Sequence, residues 1–220
     1  MSISFFWGSG SGPAWRVALA LLVKKLPHDS KLLSFAKREH KSEELLAMNP
    51  RGKVPVVRDG DYAVYESLAV LTYLDRKYPE VPLFGRTPEE AGRIMCTIME
   101  HQCYGEPAIS AVTRPLLFGR LEVSRDGVLA AVPTMMEELE KLDAQVGDGW
   151  LVGEAISAAD LFVYPAIKTI ERAFGKPGAA ELETGILPIA GRFPKLGAWM
   201  AKIEALPGYE GTYPPHWRDG

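Results

Sequence analysis

Residues 49–67, Asn-Pro-Arg-Gly-Lys-Val-Pro-Val-Val-Arg-Asp-Gly-Asp-Tyr-Ala-Val-Tyr-Glu-Ser, constrain the fold more than any other part of the chain. Val54, Val56 and Val57 form one β-favouring run, and Ala63, Val64 and Tyr65 form a second. Asp59-Gly60 between them is a dipeptide that tolerates φ > 0, which predicts a two-residue hairpin turn closed by Arg58 and Asp61. Pro55 lacks an N–H, so it marks either an edge strand or a strand end whose neighbouring backbone groups serve something else. After the second strand come Glu66-Ser67 and then a helical spacing of apolar residues, Leu68, Val70, Leu71 and Leu74. Glu66 and Ser67 are therefore placed at a helix N-terminus, where free N–H groups and the macrodipole favour anions. A carboxylate beside an anion-binding helix end suits a zwitterion, with the helix end and Ser67 taking a carboxylate while Glu66 takes an ammonium. The simpler alternative is that Ser67 caps the helix and Glu66 complements its dipole.

The rest of the amino-terminal third supplies the partners for this hairpin. Residues 2–7 read as a short buried strand, Gly8–Gly12 as a turn, and Pro13 as the first residue of a helix that ends by Leu26-Pro27. A second strand is expected around Lys31–Phe35, and a short helix from about Ser42 to Met48. The order β-α-β-α-β-β-α within residues 1–78 implies a parallel pair with a right-handed crossover, followed by antiparallel strands. The prolines of Tyr78-Pro-Glu-Val-Pro82 mark 79–86 as a linker.

Residues 87–220 carry only helical patterns. Thr87-Pro88-Glu89-Glu90 opens a long helix that Gly105 and Pro107 should break or kink. Further helices are expected over roughly Val128–Val146, Leu161–Phe174 and Phe193–Ala205. In Ser157-Ala-Ala-Asp160, Ser157 is predicted to cap the helix while Asp160 reaches back to its N–H.

The 220 residues suffice for one large core or two small ones. A formal net charge of −3 offers no electrostatic footprint for nucleic acid or acidic lipid. No apolar run reaches the ~20 residues that span a bilayer, and no secretory signal pattern is visible. Cys96 and Cys103, seven residues apart in one helical pattern, are about 10 Å from each other and so are expected as free thiols in a reducing cytoplasm. The four histidines show no metal-ligand spacing, and no metal site is expected.

Asn49-Pro50…Gly52-Lys53-Val54-Pro55 with Glu66-Ser67 eleven residues beyond the last proline resembles the glutathione-binding stretch of the glutathione transferase superfamily. Gly153-Glu-Ala-Ile-Ser157-Ala-Ala-Asp160 resembles the capping motif of that family's helical domain. The resemblance implies a thioredoxin-like domain followed by an all-helical domain that contributes the electrophile site. It also implies a cis peptide at Pro55 and antiparallel pairing of the Val54 backbone with the cysteinyl part of glutathione. Glutathione's γ-glutamyl end is itself an amino-acid zwitterion, so the resemblance and the chemistry of Glu66-Ser67 reach the same ligand separately. By similarity to the theta class, His40, Lys41 and Lys53 join Val54, Pro55, Glu66 and Ser67 as glutathione-binding residues, the cations and His40 suiting the glycyl carboxylate.

The family's task is to hold a thiolate near neutral pH, although a free cysteine thiol has a pKa of about 8.5. A hydroxyl donor and a helix N-terminus are the devices available before Pro13. Matched on Ala14-Trp-Arg-Val17, Ser11 takes the place of the zeta-class serine, with Ser9 as the second candidate. Ser11 as a plain helix N-cap is the structural alternative. No tyrosine precedes Tyr62 and no cysteine precedes Cys96, which excludes the tyrosine type and the thiol-reductase type. Candidates for the electrophile pocket are Trp7, Cys103, Tyr104, Arg114, Phe118 and Tyr164. The expected protein is a homodimeric, cytoplasmic, serine-type glutathione transferase, theta- or zeta-like, that takes glutathione and a small electrophile. Its rivals are a zeta-like glutathione-dependent isomerase and a non-catalytic glutathione-binding module. The segment Ser11-Gly-Pro-Ala departs from the serine- and cysteine-rich segment of the zeta class.

Overall fold

The computed structural model describes residues 3–147 and 149–218. The chain forms two compact units, one built from the chain up to Phe84 together with the segment from Pro207 on, the other from Gly85 to Leu206.

The first unit is a four-stranded sheet with three helices. Its strands are β1 (Ile3–Trp7), β2 (His28–Leu32), β3 (Val56–Asp59) and β4 (Tyr62–Tyr65), and its helices are α1 (Gly12–Val23), α2 (Glu43–Met48) and α3 (Ser67–Lys77). The spatial order is β2-β1-β3-β4, with β1 and β2 parallel and the other pairs antiparallel. The α1 helix, which connects the parallel pair, packs beside α3. Phe6 and Val56 instead face Leu45 of α2, with Leu33, Met48 and Tyr65 around them. Alternation along β1 thus supplies a core on each side of the sheet.

Three local expectations shift. The hairpin is closed by Asp59 and Tyr62, not by Arg58 and Asp61, because Arg58 pairs with Ala63. Of the two turn residues Gly60 and Asp61, only Gly60 has positive φ, at 64°, the pattern of a turn with glycine first. Strand β2 runs His28–Leu32 rather than Lys31–Phe35. All five of its residues are exposed on the sheet edge, so pairing to β1 rather than an apolar pattern defines it. Pro55 directly precedes internal strand β3, which selects the strand-end reading over the edge.

The second unit is all helical: α4 (Pro88–Glu100), α5 (Glu106–Leu117), α6 (Leu121–Gln145), α7 (Ala158–Phe174), the single turn α8 (Ile189–Arg192) and α9 (Pro194–Glu204). The expected kink is present. A π-helical segment, His101–Gly105, joins α4 to α5, and Pro107 follows in the first turn of α5. Helix α6 starts seven residues before the expected Val128 and carries Pro133 within it. Thr87 and Glu90 close a capping box at α4, and Ser157 and Asp160 close the predicted one at α7.

One boundary, between Phe84 and Gly85, falls within the expected linker, and another differs from expectation. Residues 79–86 are not a loose tether: Leu83 is buried and donates its N–H to Asp75 at 2.5 Å, while the Lys24 ammonium reaches the Val81 carbonyl at 2.6 Å. The tail from Pro207, expected with the helical domain, packs into the first unit. Tyr209, Tyr213 and Trp217 gather around Trp15 of α1, and Trp15 donates its indole N–H to Thr212 at 3.1 Å.

Candidate functional site

Strand register brings the predicted residues together. Phe6 pairs with Val56, and Val56 pairs with Tyr65, so these residues form one row across three strands. Beyond that row β1 runs on through Trp7 toward Ser11, β3 begins after Val54-Pro55, and β4 is followed by Glu66-Ser67. All three pieces therefore leave the sheet at the same end. The β2 strand runs parallel to β1 and ends there too, leading into the turn that holds His40 and Lys41.

Ser11 is the N-cap of α1. Its backbone is extended (φ −77°, ψ 107°), and its Oγ accepts from the Ala14 N–H at 3.3 Å. The cap uses a lone pair and leaves the hydroxyl proton to be donated elsewhere. Ser9 is engaged differently, with its Oγ 2.6 Å from Nδ1 of His216 in the tail. The Ser9 hydroxyl is thus engaged with the tail, whereas the Ser11 hydroxyl caps its own helix.

The Val54–Pro55 peptide is cis. Sheet pairing starts only at Val56, which keeps the Val54 backbone N–H and carbonyl out of the ladders. Asn49, 2% exposed, ties the loop before it by donating to the Lys53 carbonyl at 2.8 Å and accepting from the Arg51 N–H at 3.1 Å. The Lys41 ammonium donates to the Arg51 carbonyl at 2.9 Å, whereas Lys53 is exposed. His40 stacks edge-on to Phe35, and its buried Nδ1 has no hydrogen-bond partner.

At the third piece, Glu66 precedes α3 with φ 68° and makes no side-chain capping bond. Ser67 is the first residue of α3 and is buried; its Oγ accepts from Arg16 Nη1 at 3.5 Å. Neither side chain makes a capping hydrogen bond, so Ser67 is not the cap of α3, while the Glu66 carboxylate at the N-cap position still complements the helix dipole. Arg16 is 5% exposed and links α1 to the start of α3, placing a guanidinium behind that helix end. Sequence reasoning missed both Arg16 and Asn49; a charged residue within the apolar run of α1 was the available signal for the first.

Among the electrophile-pocket candidates, Trp7 lines a cavity together with Ser11. Tyr164 belongs to the helical core instead: it is fully buried, meets Trp199 edge-on, and donates its hydroxyl to Glu204 at 3.0 Å. Cys103 and Tyr104 are exposed on the π-helical segment, and Tyr104 lines a cleft with Glu100 and Lys141. Arg114 and Phe118 are exposed neighbours, the guanidinium 5.9 Å from the ring centre. No helix among the described residues is long and apolar enough to cross a membrane.

Residues 9–82 match the family model "Glutathione S-transferase, N-terminal domain", and residues 98–207 match "Glutathione S-transferase, C-terminal domain". The chain is 28% identical to glutathione S-transferase A of Pleuronectes platessa, over 98% of this chain and 92% of that protein. The crystal structure of a glutathione S-transferase from the Antarctic clam Laternula elliptica superposes with a TM-score of 0.81 at 30% identity, covering all of this chain and 95% of the other. A glutathione S-transferase-I structure bound with lactoylglutathione superposes with a TM-score of 0.77 at 25% identity, over 96% of this chain and 98% of that one.

Proposed function

The chain belongs to the glutathione S-transferase family, and from that premise we propose that it is a serine-type transferase in which Ser11 stabilises the glutathione thiolate for attack on a small apolar electrophile. The observation that carries this reading is the common exit of Ser11, Val54-Pro55 and Glu66-Ser67 at one end of the sheet.

Each part of the tripeptide meets a matching group. The γ-glutamyl carboxylate takes the free N–H groups of α3 and the Ser67 hydroxyl, with Arg16 behind them, while its ammonium takes Glu66. The cysteinyl backbone pairs with Val54. The glycyl carboxylate lies toward His40, Lys41 and Lys53. These contacts hold the sulfur at the N-terminus of α1, where the Ser11 hydroxyl donates to it. The thiol's proton leaves to solvent, the sulfur forms a bond to the electrophilic carbon, and the leaving group departs with the electrons of the broken bond. Ser11 lowers the energy of the thiolate and takes up no proton. Catalysis thus consists of positioning plus charge stabilisation. The protein works as a homodimer in a reducing cytoplasm, a setting in keeping with free, exposed Cys96 and Cys103.

Ser11→Ala tests the assignment. Losing a hydrogen bond to a charged group costs roughly 1.5–3 kcal/mol, a rate loss of about ten- to a hundredfold at pH below the thiol pKa. Glutathione affinity should hardly change, and the acid limb of the pH–rate profile should move up toward about 8.5. Ser9→Ala should leave that limb in place. A limb that moves with Ser9→Ala and not with Ser11→Ala transfers the role to Ser9; a limb that moves with neither refutes a serine donor.

A further inference from the structure

The turn between β1 and α1 is built around a corner residue. The Ser11 N–H donates to the Gly8 carbonyl at 3.1 Å, which closes a four-residue turn, and Gly10 in its third position has φ 80°. This is the type II pattern, in which glycine meets the third position without strain. Ser9 therefore occupies the outer corner of the bend, with a glycine on each side. A Cβ on Gly8 would run into the Phe35 ring, and one on Gly10 would run into the His216 ring. The bare backbone on both sides of Ser9 is what lets these two rings come so close.

His216 comes from the carboxy-terminal tail, which belongs to the same unit. Its Nδ1 lies 2.6 Å from Ser9 Oγ, and its backbone N–H approaches the same oxygen at 3.5 Å. An arrangement in which Ser9 donates to Nδ1 and accepts from that N–H uses both polarities of the hydroxyl and leaves the ring nitrogen as the proton acceptor. The ring is steadied by Trp217, edge-on at 6.3 Å between centres, and Trp217 is packed in turn against Trp15 and Tyr213. Ser9 is half-buried and His216 is exposed, so a small molecule reaches the pair from solvent. Two backbone donors stand beside the serine in the chain. Among the described hydrogen bonds none uses the N–H of Gly10, the residue after Ser9, or that of Gly12, the first residue of the 12-residue helix α1. The Ser11 and Ala14 N–H groups, by contrast, are already taken.

We propose that Ser9 and His216 form a nucleophile–base pair that hydrolyses small aryl esters of carboxylic acids without glutathione. His216 Nδ1 takes the Ser9 proton as Oγ bonds to the ester carbonyl carbon, and the Gly10 and Gly12 N–H groups, with the helix dipole behind them, stabilise the oxyanion. The carbonyl re-forms, the C–O bond to the phenol oxygen breaks with its electron pair, and the imidazolium proton passes to that oxygen. Water then attacks the acyl-serine and gives a proton to His216; the carboxylic acid leaves as that proton returns to Ser9 Oγ. The sum is ester plus water giving acid plus phenol, with serine and histidine restored. Aryl esters are the class that fits, because a phenolate leaves readily and one imidazolium suffices to protonate it. The activity is separate from the conjugation proposed above, since it uses neither Ser11 nor any residue of the glutathione cradle.

The probe is 4-nitrophenyl acetate, added without glutathione to the full chain carrying Cys96→Ser and Cys103→Ser, because exposed free thiols also attack this ester. Saturable release of 4-nitrophenolate is expected. In that background Ser9→Ala and His216→Ala should each lower kcat/KM by about a hundredfold or more. His216→Asn keeps an acceptor for the Ser9 hydroxyl but supplies no base, and should be as inactive as His216→Ala. An alkyl fluorophosphonate, which loses fluoride to an activated serine, should leave one covalent adduct, placed on Ser9 by tandem mass spectrometry of the natural chain. That mapping needs no variant, so it decides the matter even where a substitution in the tail lowers the melting temperature. The proposal is overturned by hydrolysis that does not saturate, by undiminished hydrolysis in Ser9→Ala or His216→Asn, or by a fluorophosphonate adduct that is absent from Ser9 or sits on Ser11. Failure of the Ser11→Ala kinetics removes the serine-type conjugation reading and leaves this one standing, whereas ester hydrolysis that survives Ser9→Ala removes only this one.

Discussion

Asp160 ties separate segments of the helical unit together, and replacing it tests how that unit is held. The residue is fully buried and receives four donors: the Leu151 N–H at 2.9 Å, the Ser157 N–H at 2.8 Å, the Ser157 hydroxyl at 2.9 Å and the Trp199 indole at 2.8 Å. It therefore joins the loop before α7, the first turn of α7 and the middle of α9, well beyond the single cap bond legible in Ser157-Ala-Ala-Asp160. Asp160→Ala leaves three N–H groups and a hydroxyl without their acceptor. An unsatisfied buried donor costs about 1–3 kcal/mol, and allowing for water entry and non-additivity the total is about 3–5 kcal/mol. With a urea m-value of about 2–3 kcal/mol/M, the midpoint falls by roughly 1–2 M. Asp160→Asn keeps the shape but turns two acceptor lone pairs into donors that face other donors, and should cost about 1–3 kcal/mol. Trp199→Phe removes one donor and leaves the carboxylate three, so it should cost less than Asp160→Ala. Urea titration followed by helical circular dichroism reads all three. A midpoint for Asp160→Ala within about 0.3 M of the natural protein would refute the reasoning, since it corresponds to less than about 1 kcal/mol.

Two further outcomes follow from the first unit. Burial opposes ionisation of Asp59, but Lys77 at 2.7 Å and the Tyr78 and Tyr73 hydroxyls at 2.7 and 3.1 Å outweigh it and hold the carboxyl below its ordinary pKa. A depressed folded-state pKa contributes stability above about pH 4 that is lost as pH falls further, so urea midpoints of Asp59→Asn should vary less between pH 5 and 3 than those of the natural protein. Glu66→Gly should melt at or above the natural temperature while glutathione affinity, measured by calorimetry, falls by about tenfold or more, because a positive-φ penalty is relieved as a charged partner is lost. Ser67→Ala should weaken the same binding by a smaller factor.

What could be read from the sequence, and what could not, divides by the range of the cause. The helix start at Thr87 and the capping box at Ser157 depend on residues within one turn and were legible, as was the break near Gly105 and Pro107. Strand β2 was misplaced because its exposed residues carry no apolar alternation, and only β1 sets its register. The hairpin register differs by one because Asp59-Gly60 looks like the turn pair, whereas Asp59 pairs with Tyr62 and its side chain is held by Lys77, Tyr73 and Tyr78 of α3 and the residue just after it. The destination of the tail depended on ring contacts with Trp15 almost two hundred positions away, for which no local pattern exists. At the site, Glu66-Ser67 stood out as a chemical oddity in a short stretch. Arg16 did not, because its value comes from α1 lying beside α3.

Glu66 shows why the candidate site is better regarded as an assembled constraint than as a set of side chains. A non-glycine residue at φ 68°, ψ 117° costs about 1–3 kcal/mol and persists only where the surroundings over-determine it. On one side Tyr65 is fixed by pairing with Val56; on the other the Glu66 carbonyl accepts the Val70 N–H at 2.9 Å and starts α3. The chain must turn from strand to helix in one residue, and glycine would do so at lower cost. Glycine would carry no carboxylate, and the first turn of α3 would then present its N–H groups with nothing beside them to take an ammonium. An anion-binding helix end by itself selects any small carboxylate or phosphate. In the proposed site, Glu66 beside that end would repel simple anions and favour a ligand that brings a positive charge next to its negative one. On the reading proposed above, backbone strain at this position serves discrimination, and the γ-glutamyl group of glutathione has the charge pattern that fits it.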